Sequence, residues 1–312
     1  AMTVAGDDQR WAMVSCDLCM VPVELLQAVR DRLAKALPDL PADAVVLCAT
    51  HTHTSLLVRG GWYEQPEGDV MTAEECRDLI ADRICEAVAE AWSRRTPRRI
   101  ARAWGHAVVG HNRRAVYADG SARMYGKTDR EDFDHIEGAE DHSLDLLGIY
   151  EPDGSLAGLL LAVPCPSQVD EHLHEFSADY WHDVRQELRR LFGANLGVIG
   201  LCAAAGDQSP HFLLYGDLEA EMRERRGCTE RQEIARRVGR AVGEALECTT
   251  PSDEEDACAH RVRELELSAI EISRQRRDQA EAAYKDYVDS GKDPNGWWPR
   301  RNGRTGFSAG VR

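Results

Sequence analysis

The stretch Val45-Val46-Leu47-Cys48-Ala49-Thr50-His51-Thr52-His53-Thr54 constrains this chain most, because an apolar run stops abruptly at two histidines one residue apart. An apolar run of this length reads as a buried strand. Side chains two apart on a strand share a face, so His51 and His53 are expected to project together from its end. Neutral imidazole is a good zinc ligand, and an imidazole just outside the ligand set can move protons near neutral pH. The pair therefore suits one metal ligand, His51, beside one proton carrier, His53. Polar residues meeting solvent at a strand end are the plainer reading of the same pattern.

The residues before this run place it in a sheet. Trp11 to Leu18 reads as a strand, and Leu25, Val29, Leu33 and Leu37 recur at helical spacing ahead of Pro38. Strand, helix, strand implies a parallel pair, with His51 at a carboxyl strand end, where open α/β sheets bind ligands. Gly60, Gly61, Pro66 and Gly68 make 55–71 an irregular loop. Thr72 and Glu75 form a capping box opening a helix to Trp92. A strand over Arg98 to Val109 runs into His111-Asn112-Arg113, and Asp129 to His142, rich in acids and histidines, reads as surface loop. Glu151-Pro152-Asp153-Gly154 marks a hairpin between strands 144–150 and 156–163, which lead into Cys165-Pro166-Ser167-Gln168.

Further on, the pattern predicts a helix from a Ser177 cap to Phe192, a buried strand over Asn195 to Ala204, and a helix over Cys228 to Cys248. A strand over Arg261 to Ile272 and a charged helix over Arg274 to Val288 follow, and the tail from Asp289 has no periodicity. The expected fold class is α/β: a mixed central sheet with helices packed on it and a ligand site at strand carboxyl ends. One domain is expected over 1–288, with an irregular tail over 289–312.

Composition excludes several functions. With 54 acidic against 38 basic residues and a net charge of -16, the surface repels nucleic acid and anionic membranes. No apolar stretch is long enough to span a bilayer, and no basic segment precedes an apolar one at the N-terminus. The 10 cysteines lack the spacing of a disulfide framework or a zinc knuckle. The chain thus reads as soluble and cytoplasmic, with thiols in a reducing compartment, and nothing in it specifies an oligomeric state.

Several strands end in polar clusters: His51 with His53, His111 with Arg113, Cys165 near His172 and His174, and Asp207 with Ser209. If these ends meet, the site holds metal ligands, a cation for an oxyanion and a hydroxyl. Taken singly, Asn112-Arg113-Arg114 also reads as a solvated strand end, His172 and His174 as loop residues, and Gly206-Asp207-Gln208-Ser209-Pro210 as a turn with Asp207 capping amides.

Thr50-His51-Thr52-His53-Thr54, His111-Asn112-Arg113 and Gly206-Asp207-Gln208-Ser209-Pro210-His211, in this order, resemble three motifs of the neutral/alkaline (non-lysosomal) ceramidases. The resemblance covers roughly residues 10 to 215. It implies an α/β catalytic domain around one zinc and hydrolysis of the amide of N-acylsphingosine to fatty acid and sphingosine. It implies His51 as a zinc ligand, His53 as a catalytic histidine behind it and Arg113 as a substrate or oxyanion contact. Ser209 becomes nucleophile or substrate-orienting group, with Asp207 beside it. Where the family has a second zinc histidine, often His-Pro-Thr, this chain has Cys165-Pro166-Ser167, so Cys165 is the expected replacement ligand. The family's further glutamate and tyrosine ligands and its C-terminal β-sandwich are not found before Arg312, so the chain reads as a truncated or divergent member. The expectation is zinc-assisted hydrolysis of a lipid amide. A zinc hydrolase of the same fold acting on another amide or ester, and a non-catalytic relative, are the alternatives.

Overall fold

The computed structural model describes residues 1–6, 9–61, 68–251 and 260–290, with the side chains of 287 and 288 excepted. In chain order the elements begin with β1 (Met2–Ala5), β2 (Arg10–Cys16), α1 (Val23–Ala36), β3 (Val45–Ala49), α2 (Ala73–Ser93) and β4 (Arg99–His106). Next come β5 (His111–Asn112), β6 (Arg114–Tyr117), β7 (Ala122–Met124), β8 (Phe133–Ile136), β9 (Ser143–Tyr150) and β10 (Leu156–Val163). The chain continues through α3 (Tyr180–Phe192), β11 (Gly197–Cys202), β12 (Gln208–Ser209), α4 (Gly216–Arg226), α5 (Glu230–Glu247) and α6 (Arg274–Asp289).

The sheet is mixed, as expected, but its hydrogen bonds divide it into a three-stranded ladder β1-β2-β3 and a four-stranded ladder β11-β10-β9-β4. β2 and β3 pair in parallel, as the strand, helix, strand pattern requires. β9 and β10 form the antiparallel hairpin, and β10 pairs in parallel with β11. The Ser15 hydroxyl on β2 donates to the Gly200 carbonyl on β11 at 2.6 Å, tying the ladders together.

Each ladder buries a face under two helices. Leu25, Val29 and Leu33 of α1 and Cys76, Ala81, Ile84 and Val88 of α2 pack with Ala12, Val14 and Val45. Trp181, Val184 and Leu188 of α3 and Val238 and Val242 of α5 pack with Leu144, Leu159 and Leu161. Burying a side chain of this size contributes about 1.5–3 kcal/mol, so the two clusters supply most of the drive to fold. Gly200 lets α3 approach the sheet closely: a Cβ there would run into the Trp181 ring.

Local signals hold where local physics decides. The Thr72/Glu75 capping box opens α2, and a second one, Thr229 with Gln232, opens α5. Three expectations need correction, and one helix was not anticipated. Ser177 does not cap α3: Asp179 does, at φ 52°, with the Ser177 hydroxyl instead accepting the Asp179 amide at 2.8 Å. The expected surface loop 129–142 contains β8, which pairs with β6. Arg261 to Ile272 forms no strand, and Leu267 and Ile270 stand exposed. No described neighbour supplies the ladder hydrogen bonds that a strand needs. Finally, α4 carries no apolar face, with no buried residue, and so left no periodicity to read. The tail 291–312 lies outside the described residues.

Candidate active site

The polar side chains that gather in one place follow the carboxyl ends of β2, β3, β10 and β11, joined by Arg113 after β5 and Tyr125 after β7. His51 and His53 come together by a different route from strand alternation, because β3 stops at Ala49 and His51 takes a left-handed φ of 60°. Such a conformation is uncommon outside glycine and persists only where the surroundings impose it. Here the threonines impose it. Thr50 and Thr52 are fully buried, and the Thr52 and Thr54 hydroxyls donate to the Ser177 carbonyl at 3.0 and 3.1 Å. The Ser167 hydroxyl holds the Thr50 carbonyl at 2.8 Å, and the His53 amide donates to the Ser167 carbonyl at 3.3 Å. With the threonines turned inward, the two imidazoles face out with ring centroids 5.2 Å apart.

Cys19, three residues past β2, joins them: its Sγ and one nitrogen of each imidazole lie within 4.8 Å of one another. Burial pushes the His51 pKa down, helped by His53 and Arg113 and opposed by a hydrogen bond with the Cys19 backbone, so the ring is neutral at pH 7. Burial also pushes the Cys19 thiol up, so a metal binding here displaces a proton. A thiolate with one or two imidazoles is a donor set that suits zinc and leaves coordination positions open.

The β5–β12 pairing builds the opposite wall, with Gln208 opposite Asn112 and Ser209 opposite His111. The Arg113 amide donates to the Asp207 carbonyl at 2.9 Å, and the Asp207 carboxylate accepts from Asn112 Nδ2 at 2.9 Å and Gln208 Nε2 at 3.0 Å. Asp207 thus braces the loop. Arg113 reaches Gly206 O at 2.9 Å, Tyr125 Oη at 3.3 Å and Gln168 Oε1 at 3.5 Å. From there a ring of side chains closes. Gln168 Nε2 meets His53 Nε2 at 3.1 Å, and His53 Nδ1 meets Glu171 at 3.2 Å. Glu171 meets His211 at 3.3 Å, and the His211 ring lies 6.0 Å from that of Tyr125. Burial works to raise the Glu171 pKa, but hydrogen bonds from His211 and His53 reverse this and hold it at about 2. Ser209 sits behind the ring, fully buried, its Oγ accepting from Tyr125 Oη at 3.1 Å and the His211 amide at 3.2 Å.

Other residues singled out in the sequence do not join this ring or the three-donor group. Cys165 is fully buried, its thiol directed to the Pro166 carbonyl at 3.4 Å and its own carbonyl accepting from Tyr180 Oη at 2.7 Å. Burial pushes its pKa well above the ordinary thiol value. The three-donor group found among the described residues uses Cys19 and not Cys165. His172 and His174 are exposed loop residues, and His111 pairs with Glu140 at 3.2 Å and stacks on Phe212. Gln168 and His211 stand at the ends of quoted motifs without a role of their own there, and Cys19 lies just past a strand end. Tyr125 and Glu171 carry no periodicity or spacing that assigns them to a site.

No protein-family model matches this sequence, and no curated protein is detectably similar to it. Solved structures are similar. A neutral ceramidase from Pseudomonas aeruginosa matches with a TM-score of 0.56 and 18% identity, over 78% of this chain and 37% of that one. A ceramidase complexed with C2 matches with a TM-score of 0.57 and 19% identity, over the same shares. The chain thus has a ceramidase-like fold and spans little more than a third of the length of those structures.

Proposed function

We propose that this chain is a zinc-dependent amidohydrolase acting on the amide bond of N-acylsphingosine or a closely related lipid amide. The observation that carries this reading is the Cys19, His51 and His53 group set opposite the Arg113 guanidinium, on a fold shared with ceramidases. A zinc ion held there would supply a Lewis acid for the carbonyl oxygen. His51 and Cys19 are its primary holders. His53, whose two ring nitrogens face Gln168 and Glu171, moves the proton, with the Glu171 carboxylate fixing its orientation. Arg113, pinned by Gly206 and Gln168, offsets charge on the tetrahedral intermediate. Ser209 is fully buried, which favours an orienting role over direct attack.

Metal analysis and a substrate panel test this reading together. The purified chain is expected to hold about one zinc, lost in His51→Ala and weakened in Cys19→Ser, while His53→Ala keeps metal and loses turnover. A metal-free wild type after zinc loading removes the zinc assignment. Cleavage of simple esters or short amides without cleavage of N-acylsphingosines moves the substrate to another acyl compound.

A further inference from the structure

We infer that the hydroxyl meeting the substrate is the phenol of Tyr125, and that Ser209 supports it from behind. This deepens the hydrolase reading above and rests on it. Tyr125 follows β7 with φ 53°, a left-handed backbone unusual for a bulky residue and kept only where the surroundings impose it. Its amide is held by the Arg113 carbonyl at 2.7 Å. That strained position puts the phenol between Arg113 Nη1, which donates to it at 3.3 Å, and Ser209 Oγ, to which it donates at 3.1 Å. Tyr125 is half-exposed, while Ser209 is sealed behind it.

The two hydroxyls differ in what must move before either reaches an acyl group. For Ser209 to attack a carbonyl carbon, the Tyr125 phenol, which occupies one of the two Oγ lone pairs and covers the buried hydroxyl, has to leave. For Tyr125 to donate outward, only the two hydroxyl hydrogens have to turn. Ser209 then donates its own hydrogen to Tyr125 Oη, while its oxygen keeps the His211 amide at 3.2 Å. No covalent bond forms or breaks and no heavy atom moves. The phenol and the Arg113 guanidinium then stand as neighbouring donors, the arrangement that stabilises an oxyanion developing on a substrate carbonyl. Arg113 also draws on Gln168, and Gln168 on His53, so this donor pair is continuous with the proton-moving histidine.

Kinetics of Tyr125→Phe, Ser209→Ala and the double variant separate the roles. Tyr125→Phe is expected to lower kcat by about 100-fold with KM within about threefold, as for loss of one oxyanion donor. Ser209→Ala is expected to lose only about tenfold, and the double variant to be no slower than Tyr125→Phe, since Ser209 acts through the phenol. A Ser209→Ala protein below about one thousandth of wild-type activity, with Tyr125→Phe near wild type, overturns the inference and makes Ser209 the attacking group. If Tyr125→Phe loses its cooperative thermal transition, the Ser209→Ala rate alone still decides between these outcomes. A second arm is independent of turnover: calorimetric binding of n-octylphosphonate, a tetrahedral anion on an acyl-like chain. If wild type cleaves no acyl substrate but binds this probe at least tenfold more tightly than Tyr125→Phe, the hydrolase reading fails and the Tyr125 donor stands. Equal binding by the two proteins, or none by wild type, overturns the inference.

Discussion

Replacing Glu233 by glutamine tests how the wall behind the site is held. Glu233 lies near the start of α5, its side chain 3% exposed, and accepts hydrogen bonds from Arg226, Arg236 and Arg237 at 2.6 to 3.0 Å. Arg237 also bonds Glu219 of α4 at 2.7 Å and the Val108 carbonyl at 3.2 Å, so the cluster fixes the segment that leads into His111 and Arg113. Burial alone would raise the Glu233 pKa, but the hydrogen bonds from Arg236, Arg226 and Arg237 outweigh it and hold the value at about 2 instead of 4.5. A displacement of that size corresponds to about 3.4 kcal/mol at neutral pH. Arg226 and Arg236 are 44% and 35% exposed, and solvent screening reduces the expected loss in Glu233→Gln to roughly 2–3 kcal/mol. Because the folded value is depressed, the stabilisation is complete above about pH 4.5 and drains away as pH falls towards 2. Urea unfolding of wild type and variant at pH 7, 4.5 and 3.5 reads this directly. The gap should be full at pH 7, slightly smaller at 4.5 and clearly smaller at 3.5. A gap below about 0.5 kcal/mol at pH 7, or one that does not change with pH, would refute the reasoning.

A Cβ on Gly110 would lie 2.6 Å from the Pro164 carbonyl oxygen and 3.3 Å from Cys165 Cβ, so Gly110→Ala should cost about 1–3 kcal/mol in urea unfolding; an unchanged midpoint would show that the backbone yields freely there. Cys165 should resist iodoacetamide in the native protein with or without chelator, whereas Cys19 should become reactive once metal is removed, as read by mass mapping of labelled peptides. Rapid labelling of native Cys165 would mean that its burial is transient and would return it to the list of metal donors.

What the sequence determined by itself is what neighbours along the chain decide. The apolar spacing of α1, the Thr72/Glu75 box of α2 and the turn residues between β9 and β10 are local, and all three elements form where the pattern places them. The histidine pair was legible as well, but its geometry was not. The left-handed turn at His51 depends on Ser167 and Ser177, more than a hundred residues downstream. Tertiary structure alone decided which polar residues meet. Tyr125 and Ser209 are 84 residues apart, and Gln168 and His53 are 115 apart. No spacing rule connects such positions, because their approach follows from the β5–β12 pairing and from the parallel pairs β2–β3 and β10–β11, which bring distant strand ends to one edge. The same logic separates Cys165 from Cys19. Cys165 stands in the expected motif but lies in the core under Tyr180, whereas Cys19 belongs to no motif and lies beside His51, because β2 and β3 run side by side and finish at Cys16 and Ala49 in register.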